Sequence, residues 1–195
     1  TDQASGTLRF ESACSDLEQL LGDAAYGQDG EELESIVGEK LLQAGLQLGV
    51  AESCTGGLLS HRITRVPGSS RYFLGGAVAY ANALKEGLLG IEHATLVQSG
   101  SVSRETATAM AIGVRKRAGA DIGLSITGIA GPDGGTEDKP VGTVFIGISS
   151  RRGEEVDVFN FSGDRNRIQT SAAQAGLTML RCFLDNFFLA GAEMS

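Results

Sequence analysis

Short apolar runs that end in small or polar residues and then give way to helical periodicity set the architecture of this chain. Leu33, Ile36, Val37, Leu41 and Leu42 recur at helical spacing, and Gly45 closes that helix as a C′ residue. Residues 46–51 read as a short buried strand, 52–57 as a tight loop and 58–63 as the helix it opens. Pro67-Gly68-Ser69-Ser70 breaks that helix. Residues 76–81 predict a second strand, after which Asn82 caps a short helix carrying Lys85. Ser103 caps a longer helix to Arg117, with Met110 and Val114 on its inner face, and 121–127 predict a third strand. Residues 141–149 and 155–161 alternate across Arg152-Gly153 as a hairpin. Residues 164–189 predict a long amphipathic helix with Ile168, Ala172, Ala175, Met179, Phe183 and Phe187 on one stripe. Alternating helices and strands followed by a hairpin predict an α/β fold. Its expected form is a three-layer α/β/α sandwich on a mixed, mostly parallel sheet with one antiparallel strand.

Length and charge narrow the function. The 195 residues suit one domain, expected over 31–195, with 1–30 as a tail or interdomain linker from a longer chain. A net charge of -8 argues against a nucleic-acid partner. No apolar run reaches membrane-spanning length, and no basic-then-apolar leader opens the chain, so neither a membrane association nor a secretory signal is expected. Cys14, Cys54 and Cys182 show no CxxC spacing, and His61 and His93 form no HExxH pattern. No metal site is expected, and a reducing cytoplasm is the expected compartment. The 28 glycines, about twice the ordinary share, cluster in particular loops.

Ligands of open α/β sheets bind beyond the carboxyl ends of strands, which singles out the loops at 52–57, 80–85 and 128–140. Ser53 lies between a strand and a helix N-terminus, where backbone N–H groups can hold a phosphate or an oxyanion. Ser53 and Thr55 acting only as helix caps is the competing reading. Lys85 in a desolvated pocket can serve as a base for serine, and Tyr80 can relay a proton. A surface lysine and a packed tyrosine are the alternative. Residues 125–135 fit neither GxGxxG nor GxxxxGK[ST]; their amides form either an anion nest or a plain connection. Asp133, Glu137 and Asp138 read better as a solvated loop than as metal ligands. Asp164 is a good N-cap, while Arg165 and Arg167 in the first turn oppose the helix dipole unless an anion binds there.

Ala51-Glu-Ser-Cys-Thr-Gly-Gly57, Tyr80-Ala-Asn-Ala-Leu-Lys85, Gly100-Ser-Val-Ser103, Ser125-Ile-Thr-Gly-Ile-Ala-Gly-Pro-Asp-Gly-Gly135, Lys139-Pro-Val-Gly-Thr-Val144 and Phe161-Ser-Gly-Asp-Arg165 follow in this order. Together they resemble the CinA C-terminal domain family, which includes the PncC nicotinamide-nucleotide amidohydrolases; the resemblance runs from about Glu31 to Leu189. It implies the same three-layer sandwich and hydrolysis of the carboxamide of nicotinamide mononucleotide (NMN) to nicotinate mononucleotide and ammonia. It places the nucleophile at Ser53, the lysine base at Lys85, the tyrosine at Tyr80 and the basic residue near the ligand at Arg165. Thr55, Gly56, Gly57, Asn82, Thr127, Gly128 and Gly131 complete the expected substrate-binding set, with neither metal nor organic cofactor required. Ala81 departs from the family, where a serine is frequent. The stretch 17–27 is similar to the segment preceding this domain in full-length CinA proteins, which carry an upstream domain with nucleotide pyrophosphatase activity. With Thr1 in place of Met, a C-terminal piece of a two-domain protein is expected.

Three further readings follow. Cys54 is the rival nucleophile, because a thiol at a helix N-terminus can have a lowered pKa. A non-catalytic nucleotide-binding regulatory module is the rival function. Leu177, Leu180, Leu184, Phe188 and Leu189 widen the apolar surface of the last helix, which suggests a homodimer or higher homo-oligomer. The competing reading is that the helix beginning near Glu31 covers the same surface within one chain.

Overall fold

The computed structural model describes residues 12–17, 20–22, 25–27 and 30–192, with side chains through 188. Residues 12–17 are helical. The domain then runs α1 (Leu33–Ala44), β1 (Leu48–Glu52), α2 (Leu58–Arg65), a 3-10 turn (Ser69–Arg71), β2 (Phe73–Val78), α3 (Asn82–Leu89) and α4 (His93–Ser99). It continues through α5 (Arg104–Ala118), β3 (Ile122–Gly128), β4 (Thr143–Ser150), β5 (Gly153–Asn160) and α6 (Arg165–Ala192). The five strands form one sheet in the order β2-β1-β3-β4-β5. β1 pairs in parallel with β2 and β3, whereas β4 runs antiparallel to both β3 and β5. Four strands therefore point one way and β4 the other, as the sequence predicts.

The two faces of the sheet are built differently. Leu48, Val50, Ile122, Leu124, Ile126, Val144, Ile146 and Ile148 face the core shared with α1, α2 and α6. On the opposite face, under α5, the alternating positions are Gly49, Ala51, Gly123, Ser125 and Gly147. These small residues let α5 lie almost on the backbone. A Cβ at Gly123 would sit 2.1 Å from the carbonyl oxygen of Ala111. The Ser125 hydroxyl uses the same proximity to donate to Ala107 O at 2.6 Å. A second, smaller core of Ala51, Ala79, Leu89, Ile91, Leu96, Met110 and Val114 fills this side with α3, α4 and α5.

Several local expectations hold for the reasons given. Gly45 adopts the left-handed conformation (φ 63°) at the end of α1. Ser103 caps α5 by accepting from Thr106 N at 3.1 Å. Asp164 accepts from Arg167 N at 2.8 Å at the start of α6.

Three expectations need correction. The second strand is Phe73–Val78 rather than 76–81, because the register with β1 aligns Leu48 with Phe73 and Glu52 with Val78. Asn82 is the first residue of α3; its N-cap is Ala81, with no side-chain cap. Ile168, Ala172 and Phe183 of the expected stripe on α6 are buried, but the buried face is wider and rotated from it. Ala173, Leu177, Leu180 and Leu184 are fully buried, while Ala175, Met179 and Phe187 are only half-buried. α1 packs along α6 and closes over these leucines within a single chain. They therefore supply no argument for an assembly. Phe188 stays exposed, and the Leu189 side chain lies outside the described residues.

The close approach of α5 gives a test. Gly123→Ala should destabilise the domain by about 1–3 kcal/mol through overpacking. The change should appear as a lower denaturant midpoint at unchanged m-value.

Candidate active site

β1 ends on Glu52, whose carboxylate is fully buried. It accepts from Gly57 N (3.1 Å), Leu59 N (3.0 Å), Ser60 N (2.8 Å) and Ser60 Oγ (2.7 Å). A strand residue thus caps α2, in place of the Ser53 or Thr55 cap considered from the sequence. The chain reverses between them through Gly56 and Gly57, at φ 63° and 101°, where a side chain would be strained. Ser53 prolongs the parallel ladder by donating its N–H to Ile126 O at 2.9 Å, which fixes its hydroxyl at the carboxyl edge of the sheet.

Lys85 reaches the same point from α3 and is 1% exposed. Its Nζ lies 2.9 Å from Ala79 O, 3.0 Å from Tyr80 O and 3.1 Å from Ser53 Oγ. In the neutral amine the two carbonyls would occupy both N–H bonds, and the lone pair would face the serine hydroxyl. Burial holds the lysine below its ordinary value, which favours that neutral form. Cys54, buried beside Ser53, behaves oppositely to the expectation for a helix-terminal thiol. Burial pushes it up to about 12, so it is not a thiolate at neutral pH.

Tyr80 is exposed at the mouth, where its hydroxyl accepts from Arg165 Nη2 at 2.9 Å. Arg165 Nη1 donates to Gly131 O at 2.7 Å. Across the pocket, Thr127 Oγ1 donates to Ser101 O, and Ser101 Oγ donates to Asn82 Oδ1, each at 2.7 Å. The cavity of about 200 Å³ is lined by Ser53, Tyr80, Asn82, Lys85, Thr127, Gly128 and Arg165. Cys54, Ser101, Val102 and Ala130 line it as well. Ser101 and Val102 were not singled out as site residues, although the stretch Gly100-Ser-Val-Ser103 was legible as a motif.

Four of the expected binding residues do not line this cavity: Thr55, Gly56, Gly57 and Gly131. The amides of Gly56 and Gly57 are already engaged, by Ser53 O at 3.2 Å and by Glu52. They are therefore not free to bind an oxyanion. Gly131 offers its carbonyl to Arg165 rather than an amide to a ligand. Among the described residues no three His, Cys, Asp or Glu side chains cluster, so Asp133, Glu137 and Asp138 form no such group. A larger groove of about 790 Å³ between β5 and α6, walled by Phe159, Phe161, Met179 and Phe183, holds no comparable nucleophile–base pair. No helix among the described residues is long and apolar enough to cross a membrane.

Fold and site together define an α/β sandwich domain that carries a buried serine–lysine pair at the carboxyl edge of its sheet. The CinA C-terminal domain family matches residues 30–184, and the chain belongs to that family. A CinA-like protein of Desulfotalea psychrophila is 47% identical over 175 residues, covering 90% of this chain and 42% of the relative. A CinA-like protein of Acidobacterium capsulatum is 48% identical over 178 residues, covering 91% and 43% respectively. The chain thus spans less than half the length of these curated relatives. Among solved structures, the competence/damage-inducible protein CihA of Agrobacterium tumefaciens superposes with a TM-score of 0.76 at 36% identity, covering 83% of this chain and 98% of that one. A CinA superfamily protein of Klebsiella pneumoniae superposes at 0.77 and 31% identity, covering 82% and 99%.

The contrast between the two neighbouring nucleophiles is open to labelling. A thiol reagent at neutral pH should modify Cys14 and Cys182, both partly exposed, in the native protein. Cys54 should react only on unfolding, as read by mass spectrometry of the labelled peptides.

Proposed function

We propose that this domain hydrolyses the carboxamide of NMN, releasing nicotinate mononucleotide and ammonia. The observation that carries the reading is the buried Lys85 Nζ, held by two carbonyls and aimed at Ser53 Oγ. Ser53 gives its proton to Lys85 as its oxygen attacks the carboxamide carbon. The oxyanion of the adduct takes a backbone N–H that the loop has left unspent. That of Cys54, which lines the cavity, meets the description, since it donates to no backbone or side-chain oxygen among the described residues. Collapse breaks the C–N bond, and the ammonium of Lys85, with Tyr80 at the mouth, supplies the proton that leaves with ammonia. Water then cleaves the nicotinoyl ester of Ser53, with Lys85 again accepting a proton.

Arg165 supports a phosphorylated substrate. Two of its five N–H donors go to Tyr80 and Gly131, and the others remain for an anion. The cavity suits a pyridine carboxamide, with the ribose phosphate directed to the mouth. The cytoplasm as compartment and an upstream pyrophosphatase domain in a longer chain belong to the same reading; a homo-oligomer remains part of it without support from the buried leucines of α6. A regulatory module that binds the nucleotide without chemistry would have no use for a paired nucleophile and base. NMN binding without ammonia release would favour that module and sink the hydrolase.

Ammonia release should be abolished by Ser53→Ala and substantially retained by Cys54→Ala. The base acts as the neutral amine, so activity should rise with pH through the lowered lysine pKa, below the ordinary value of about 10.4. Lys85→Met should remove that limb and cost about 100- to 10,000-fold in kcat. A pH profile unchanged by Lys85→Met would refute the role.

Phosphate recognition is tested separately. Arg165→Ala should raise KM for NMN by about tenfold, given roughly 1.5–3 kcal/mol for a charge-assisted hydrogen bond. Free nicotinamide should be a poor substrate, and equal efficiency on nicotinamide and NMN would count against the assignment.

A further inference from the structure

α4 ends at Ser99 and α5 begins at Arg104, and the turn between them lends Ser101 and Val102 to the wall of the cavity. Side chains from outside the turn hold its backbone. Four successive carbonyls, from Ser99 to Val102, each accept from one. Gly100 O takes the Thr106 hydroxyl at 2.6 Å, and Ser101 O takes the Thr127 hydroxyl at 2.7 Å. Val102 O and Ser99 O both take Lys139 Nζ, at 2.7 and 3.3 Å. Lys139 is the charged donor of this set, and it joins the two ends of the turn. The sequence gave neither Lys139 nor the turn a role, although each lies in a legible motif.

Lys139 comes from the loop that follows β3, and its own backbone is fixed. Its N–H donates to Thr136 Oγ1 at 3.0 Å, and its carbonyl accepts from Thr136 N at 2.9 Å. Pro140 follows, which confines the residue before it to extended backbone. The start of the same loop places Gly128 and Ala130 in the cavity and gives the Gly131 carbonyl to Arg165. The loop therefore runs from the arginine at the mouth to the wall formed by Ser101 and Val102, and Lys139 fastens it there.

The turn carries oriented polar groups into the cavity. Ser101 Oγ donates to Asn82 Oδ1 at 2.7 Å, and Ser101 O accepts from Thr127, so three lining residues form one chain of hydrogen bonds. Two carbonyl oxygens brought toward one point repel unless a donor sits between them. A lysine ammonium has three N–H bonds and can serve both with charge-assisted hydrogen bonds.

We infer that Lys139 is a positioning residue, whose ammonium fastens the 99–102 turn so that Ser101, and with it Asn82 and Thr127, presents a fixed wall to the bound mononucleotide. The inference rests on the proposed reading of this cavity as a mononucleotide site. Lys139 does not line the cavity and acts only through the turn. Ser53 and Lys85 are held by other groups, the carbonyls of Ile126, Ala79 and Tyr80. Loss of Lys139 should therefore weaken binding and spare the chemical step.

The test uses Lys139→Met, which keeps most of the apolar stem and removes the ammonium. KM for NMN should rise by roughly tenfold, near the low end for a hydrogen bond to a charged group, with kcat within about twofold. The affinity of nicotinate mononucleotide, measured by calorimetry, should fall by the same factor, because the product meets the same wall. The rise of activity with pH through Lys85 should be unchanged. Amide hydrogen exchange should accelerate in the peptide covering 100–103 and not in that covering 48–52. Should Lys139→Met fail to fold, Lys139→Gln, neutral but still polar, carries the same comparison.

Unchanged KM and product affinity in the variant would overturn the inference. So would a fall in kcat at constant KM, which marks a merely structural loss of active protein. A wild-type protein that binds neither NMN nor nicotinate mononucleotide would bring down the hydrolase reading and this inference together. A wild-type protein that binds both but releases no ammonia would bring down the hydrolase alone, and a loss of affinity in Lys139→Met would still support the inference.

Discussion

Everything at the carboxyl edge of the sheet is referred to one buried carboxylate. An unpaired charge in the interior is prohibitively costly, so Glu52 must be met by donors. The donors are three backbone amides and one hydroxyl from the first turns of α2. The negative charge sits against the positive end of the helix dipole, where it is stabilising. This ties β1 to α2 at a fixed distance and forces the intervening residues into a tight reversal. Ser53 and Cys54 occupy that reversal, and their positions follow from the cap. The cap also consumes the helix amides that a simpler reading would have assigned to a ligand.

Lys85 poses the complementary problem of a buried amine. The final carbonyls of the segment after β2 solve it, because the chain leaves the sheet at Val78 and turns Ala79 O and Tyr80 O toward α3. The same departure sends the Tyr80 side chain outward to Arg165. The short β2 is thus part of the site's construction. The contrast between the sheet faces serves the same end. Large aliphatic residues fill the α6 side, and glycine, alanine and serine let α5 settle close on the other. α3, packed on α5, can then deliver Lys85 to the sheet edge.

Periodicity carried most of this architecture, because helices and strands bury one face and the burial writes itself into residue spacing. Gly45, Ser103 and Asp164 were legible because capping is local chemistry. Serine, lysine, tyrosine and arginine could be placed at strand and helix ends, and the structure gathers Ser53, Tyr80, Lys85 and Arg165 around one cavity. What escaped the sequence was long-range. Glu52 was visible as a letter in a motif, but its partners are backbone amides that look alike in any sequence. Asn82 read as a helix cap, whereas its side chain accepts from Ser101, nineteen positions away. The apolar stripe of α6 was displaced because the sheet, α1 and α2 all cover that helix. A single period cannot encode all three.

The helix that completes the pocket is the last element of the domain. Arg165 reaches Tyr80 across 85 residues, and Gln169 reaches Cys54 across 115. During synthesis the nucleophile and base therefore leave the ribosome long before the groups that brace the mouth. Their strands and helices can assemble early, since β1, α2, β2 and α3 are neighbours in sequence. The pocket stays open on one side until α6 emerges and docks against α1. A nascent chain consequently carries the reactive pair without its bracing until α6 is in place.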